Sequence, residues 1–150
     1  MYQQTDSAVG GDDRRAPARR RLQSLVGVRN HVLTELTLLA AERPFTPDAD
    51  TLSTLQDFCQ SLVDYAAAAH FQLYRYVAER RERRSEVEAI AGAVYPEIAE
   101  TTDAFLNFSD KYAGPEATAH FDELESDLTR IGELLDARIT DEDRVIAILQ

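Results

Sequence analysis

Three histidines, one cysteine and 27 carboxylates are the side chains of this 150-residue chain most able to do chemistry, and their spacing decides among the possible reactions. A carboxylate-bridged two-metal centre in a helical bundle needs Glu three residues ahead of His on two helices. The residues three before His31, His70 and His120 are Val28, Ala67 and Ala117, so that pattern is missing. Glu116 and His120 stand four apart, but beside a turn and without a matching pair elsewhere, so neither a metal nor another cofactor is expected. A second chemistry is phosphotransfer, in which a helical bundle presents one exposed histidine to accept a phosphoryl group. His70 suits that geometry, yet the next turn offers Leu73 and Tyr74, bulky and uncharged, where a phosphoryl group needs space and positive charge. Phosphotransfer through His70 stays open as an alternative function. Nucleophilic catalysis has no support: there is no Gly-x-Ser-x-Gly elbow, no phosphate-cradling Gly-rich loop, and no serine or cysteine with a base and an orienting acid nearby in sequence. No enzyme is expected, and no catalytic residue is assigned.

The elements that must position these groups are helices. Leu52, Leu55, Cys59, Leu62, Ala66, Ala69, Leu73 and Tyr76 recur at alternating steps of three and four, the seam of a bundle helix. Cys59 lies on that seam and reads as a small buried hydrophobe. At about 100° per residue, Asp64 and Phe71 fall opposite it. An aromatic ring in one helical row with a carboxylate, away from the core, is either covered by another helix or offered to a partner. Residues 1–15 are expected to form a disordered polar tail, and residues 16–150 a helical bundle. The first helix is expected from Pro17 to about Glu42, with Leu22, Leu25, Val32, Leu36 and Leu39 facing inward and Arg29 on the same stripe. Pro44 and Pro47 mark the turn that follows. The second helix is expected from Asp50 or Thr51 to Arg84, ending in the solvated cluster Arg80, Arg81, Arg83 and Arg84.

Ser85 and Glu88 match a capping box for a third helix, which Pro96 should kink or split between Ile90, Val94 and the later Ile98, Phe105 and Phe108. After Gly114-Pro115 a last helix carries Phe121, Leu124, Leu128, Ile131, Leu135, Arg138, Glu142, Val145 and Leu149 in three-four alternation. No strand-like alternation is present. The fold class is all-α: an up-down bundle of four long helices with a proline kink in the third. Arg29, Arg138 and Glu142 interrupt apolar stripes, either as an interhelical ion-pair network that fixes the bundle or as the floor of a partner groove.

Charge narrows the partners. The net charge is −11, unevenly spread: residues 1–44 carry seven arginines against five acids, residues 85–150 four basic groups against sixteen acids. Such a field repels nucleic acid and draws in a basic surface. No stretch reaches the ~18 apolar residues of a membrane span, and the first residues lack a signal-peptide core, so a cytoplasmic protein without membrane contact is expected.

The segment DFCQSLVDY at 57–65 with AHFQLY at 69–74, preceded by VRNHVL at 28–33 and followed by IGELLDARI and EDRVI in the last helix, resembles the Rsd/AlgQ family of bacterial anti-sigma factors. The resemblance covers roughly residues 25–149. It implies a bundle that binds the fourth, −35-recognising region of the primary sigma factor and blocks its contacts with promoter DNA and core RNA polymerase. Carried onto the matching positions, it implies that Asp64 pairs with a sigma arginine and Phe71 inserts as the apolar anchor. His70 and Tyr74 support that surface, and Arg29 with His31 contribute from the first helix. It also implies a second possible partner, the phosphocarrier protein of the sugar phosphotransferase system.

Overall fold

The computed structural model describes residues 10–79 and 84–149, all in helices or short connections among those residues. Four long helices follow one another: α1 (Gly10–Ala40), α2 (Ala49–Glu79), α3 (Arg84–Tyr112) and α4 (Phe121–Leu149), with a short 3-10 turn at Ala117–His120 ahead of the last. Helices adjacent in sequence pack on one another, α1 on α2, α2 on α3 and α3 on α4. The bundle expected from the spacing is the bundle observed.

The three-four seams become the core. Leu25, Val32 and Leu39 of α1, Leu55 and Leu62 of α2, Val94 and Phe105 of α3 and Leu124 and Leu135 of α4 are fully buried. Phe58 meets Phe108 edge-on, centroids 5.7 Å apart, and Phe108 packs at 4.7 Å on Tyr112, so aromatic rings fill the space between α2 and α3. Cys59 is buried as expected, its thiol pushed up to about 12 by burial and only partly offset by Ser109. Such a thiol is inert at neutral pH. Ser109 also donates to the Cys59 carbonyl at 3.1 Å and ties α3 to α2.

Helix boundaries differ from expectation in places where caps decide. α1 starts at Gly10, with Pro17 inside it rather than at its first turn; the remainder of the expected tail, residues 1–9, lies outside the described residues. α2 is capped two or three residues earlier than expected: Asp48 Oδ1 accepts the Thr51 amide at 2.8 Å, satisfying one of the donors left free at a helix start. Hydrogen bonds from the Thr46 hydroxyl and the Thr51 amide hold the Asp48 carboxyl below its usual range. The preceding loop contains a cis Arg43–Pro44 peptide. Arg80, Arg81 and Arg83 fall outside the described residues, as do the side chains of Leu73, Tyr74, Tyr76, Arg84, Ile90 and Leu149. α3 passes through Pro96 without splitting. The carbonyl that proline leaves without a donor is that of Gly92, which is exposed and open to water.

The far end of the bundle is closed by a polar clasp. Tyr112 and Lys111, at the end of α3, donate to Asp127 of α4 at 2.6 and 2.7 Å, and Lys111 also reaches Glu123 at 2.9 Å. Burial pushes the Asp127 carboxyl up, but these donors outweigh it and hold the group below its ordinary value.

Candidate functional site

The solvent face of α2 is a single helical row. Asp57, Gln60, Asp64, Ala67 and Phe71 repeat at three and four residues and are all exposed. Phe71 is 63% exposed, the most exposed large apolar side chain among the described residues. Its ring is met edge-on by the His70 imidazole at 5.5 Å, which limits its freedom without covering it. Asp64 stands two turns away on the same row, about 10 Å along the axis. Gln60 Nε2 donates to Asp64 Oδ1 at 2.9 Å, leaving the other oxygen to solvent or a ligand. This strip holds a fixed ring and a fixed carboxylate, and its chemistry is recognition: an apolar anchor beside an acceptor for a cationic donor.

The remaining expected site residues separate. His31 is exposed on α1, its Nε2 3.7 Å from Glu35 one turn on. The Tyr74 side chain lies outside the described residues. Arg29 turns inward and is 8% exposed. It donates through Nη2 to Glu142 Oε1 and through Nη1 to Asp143 Oδ1, both at 3.0 Å, so α1 is fastened to α4.

Glu142 is the centre of that fastening. Fully buried, it accepts from Arg29 of α1 and from the Tyr65 hydroxyl of α2 on Oε1, and from Arg138 Nε at 2.9 Å on Oε2. Arg138 in turn donates through Nη1 to the Thr101 and Thr102 hydroxyls of α3 at 3.1 and 2.8 Å, and lies 5.5 and 5.7 Å from the rings of Tyr65 and Phe105. Two guanidinium groups face two carboxylates, so the cluster is electrically balanced. Burial pulls the Arg29 guanidinium down, but its bond to Glu142 and the surrounding negative charge carry it above its ordinary value. Burial, reinforced by Glu142, pushes the Tyr65 phenol up, so it stays a neutral donor. Largely out of solvent, with Asp143 at its exposed edge and both Glu142 oxygens satisfied by protein donors, the cluster fixes how four helices sit against one another. Of the two readings of Arg29, Arg138 and Glu142, the geometry is that of the ion-pair network.

Sequence spacing missed two kinds of residue. Phe58 and Tyr65 are fully buried beside the named seam. They belong to a second three-four row, Thr51, Leu55, Phe58, Leu62, Tyr65 and Ala69, which was legible as the other phase of the same period. Asp57 and Gln60 extend the exposed strip and follow from continuing the Asp64 and Phe71 row backward.

Comparison with known proteins gives this geometry a setting. The family described as regulator of RNA polymerase sigma(70) subunit, Rsd/AlgQ, matches residues 10–150. Proteins named regulator of sigma D, from Shigella dysenteriae serotype 1 and from Escherichia coli O139:H28, are each 32% identical over 127 residues, covering 81% of this chain and 78% of theirs. No solved structure matches. A match across nearly the whole bundle and relatives above 30% identity over most of both chains together place the protein: it belongs to the Rsd/AlgQ family of regulators of the RNA polymerase sigma(70) subunit.

Proposed function

We propose that this protein is an anti-sigma factor that binds the fourth region of the primary sigma factor through the exposed strip of α2 and withholds it from promoter DNA and core RNA polymerase. The observation that carries this reading is Phe71, 63% exposed on a row shared with Asp64 in a chain whose family regulates a sigma factor. A large ring left in water on a helix is a poor choice for a monomer and a good one for an anchor. Asp57 and Asp64 precede it on the same row and add negative charge, suited to the basic surface that a helix-turn-helix presents to phosphates. The net charge of −11 speeds the encounter.

In this reading Phe71 enters a pocket on the sigma factor, Asp64 takes an arginine and His70 braces the ring. His31 and Tyr74 complete the rim, while Arg29 acts indirectly by holding α1 in place. The protein works by occupancy rather than by catalysis, in the cytoplasm where the sigma factor meets polymerase. The test is calorimetric titration with the isolated fourth region of the host's primary sigma factor at two salt concentrations. A one-to-one complex that weakens with salt and is lost in Phe71→Ala is the expected result; absence of binding at low salt overturns the proposal.

A further inference from the structure

The seam between α3 and α4, on helices that contribute nothing to the α2 strip, opens to solvent as one continuous groove. Its wider half, about 570 Å³, runs past Glu97, Glu100, Asp103 and Asp141, and its narrower half, about 310 Å³, runs over Phe108 and Ile131 toward Lys111. Ala104, Leu134 and Arg130 belong to both halves. From Glu97 to Lys111, α3 rises roughly 21 Å, about the length of four helical turns. The floor is apolar: Phe108 and Ile131 are buried at its base, Ala104 and Leu134 are half-buried, and Ala137 is exposed at the wide end. The rim of that wide end is acidic.

One acid there is paired chiefly with another acid, through a hydrogen bond to Glu97. Asp141 is only 6% exposed, and the carboxyl group facing it across the seam is Glu97. Glu142, next to it on α4, adds further negative charge but spends its own oxygens on Arg29, Tyr65 and Arg138. Arg144 stands 3.7 Å from Asp141 Oδ1 and is half in solvent, while Arg138 is committed to Glu142 and the α3 threonines. Among the described residues, no α1 or α2 side chain lines this half. Burial first, and Glu97 second, push the Asp141 carboxyl up to about 6. Two carboxyl groups that share a hydrogen bond cannot both ionise cheaply, and a cation seated between them would favour the ionised form of each.

We propose that this groove docks a basic amphipathic helix from a second protein, with its apolar face on Ala104, Leu134 and Ala137 and one lysine or arginine seated between Glu97 and Asp141. The occupant is a helix because the groove follows α3 for about four turns and has apolar residues along its floor. It is basic because the wide end offers four carboxylates against Arg130 in its lining and Arg144 beside Asp141. Seating a cation favours the ionised Asp141, so docking near pH 6 releases a proton.

The probe is a capped synthetic helix of about 15 residues with leucine and alanine on one face and lysine on the other, titrated into the full chain. Calorimetry at pH 6 in two buffers of different ionisation enthalpy reads affinity and proton release together. One-to-one binding is expected, at least tenfold weaker in Glu97→Gln and in Ala137→Arg, an exposed position where added bulk and charge fill the groove without disturbing the core. Proton release should vanish in Asp141→Asn, and Phe71→Ala should change nothing, so the outcome is independent of the sigma interface. Equal binding of a scrambled peptide of the same composition, which has no apolar face, would sink the idea by showing general attraction to an acidic protein. So would binding unaffected by Ala137→Arg.

Discussion

Two regions of the bundle are built from the same materials and do opposite things. The buried cluster joins Arg29, Tyr65, Arg138 and Glu142; the α2 strip sets Asp64 and Phe71 two turns apart on one row. Each combines charge with an aromatic ring. In the cluster three helices donate to one carboxylate and the fourth holds Arg138, so Glu142 has no oxygen left for a ligand. On the strip, among the described residues, Asp64 receives one local donor and Phe71 meets only the His70 ring, so both retain unused capacity. Residue type alone does not separate a structural group from a recognition group. What separates them is whether the remainder of the chain has already met their needs.

That contrast can be broken experimentally, beginning with its strongest side. Glu142→Ala removes the carboxylate that faces two buried guanidinium groups and is expected to cost about 3–5 kcal/mol in chemical denaturation. Replacing Arg138 and Glu142 together by Met and Leu should recover much of that loss, because an apolar pair leaves no charge stranded. A single loss below about 1 kcal/mol would mean that the cluster does not hold the bundle.

Phe71→Ala is expected to behave in the reverse manner. It should leave unfolding within about 0.5 kcal/mol of the parent while weakening the proposed sigma complex by about 2 kcal/mol or more, roughly 30-fold. If instead it destabilised the fold and left binding intact, the two regions would have to exchange roles.

Asp141 supplies a smaller effect with a definite sign. Its carboxyl titrates near 6 when folded against an ordinary value of 3.8, so the folded protein binds that proton more tightly than the unfolded chain. The ionised form therefore subtracts stability at neutral pH. That penalty is relieved as pH falls through about 6 and is fully relieved below about 4, worth of order 1–3 kcal/mol. Thermal unfolding followed between pH 7.5 and pH 4.5 should show the parent gaining on Asp141→Asn in reverse: the variant more stable at the upper end, with the difference closing toward the lower, at about 1.4 kcal/mol per pH unit at most. The weakest expected effect is Asp57→Asn, a rim charge, which should reduce sigma affinity by less than about 1 kcal/mol and only at low salt.

The sequence was most legible where periodicity and burial coincide. α4 was read residue by residue, including the charged pair Arg138 and Glu142 on an apolar stripe, because one strict row faces the core. On α2 only one of two inward rows was recognised, since Phe58 and Tyr65 repeat with the same period in a neighbouring phase. The partners of Arg138 on α3 were invisible for another reason. Thr101 and Thr102 are ordinary helix-surface residues until the facing helix delivers a guanidinium to them. Arg29 shows the same limit: its stripe marked it as inward-facing, but the identity of its acceptor, 113 positions away, is a property of the packed bundle. The candidate strip was half legible, with Asp64 and Phe71 on one face by angle and His70 beside them by adjacency.

The position of Glu142 also has a consequence for the order of events during synthesis. Arg29 and Tyr65 emerge from the ribosome long before the residue that accepts from both. Until the last helix is nearly complete, the first two helices can pair through their leucines, but the arginine between them has nowhere dry to go. Closure of the bundle is thereby made to wait for the final turns of α4, and a nascent chain halted before them keeps its interior open to water and to chaperones.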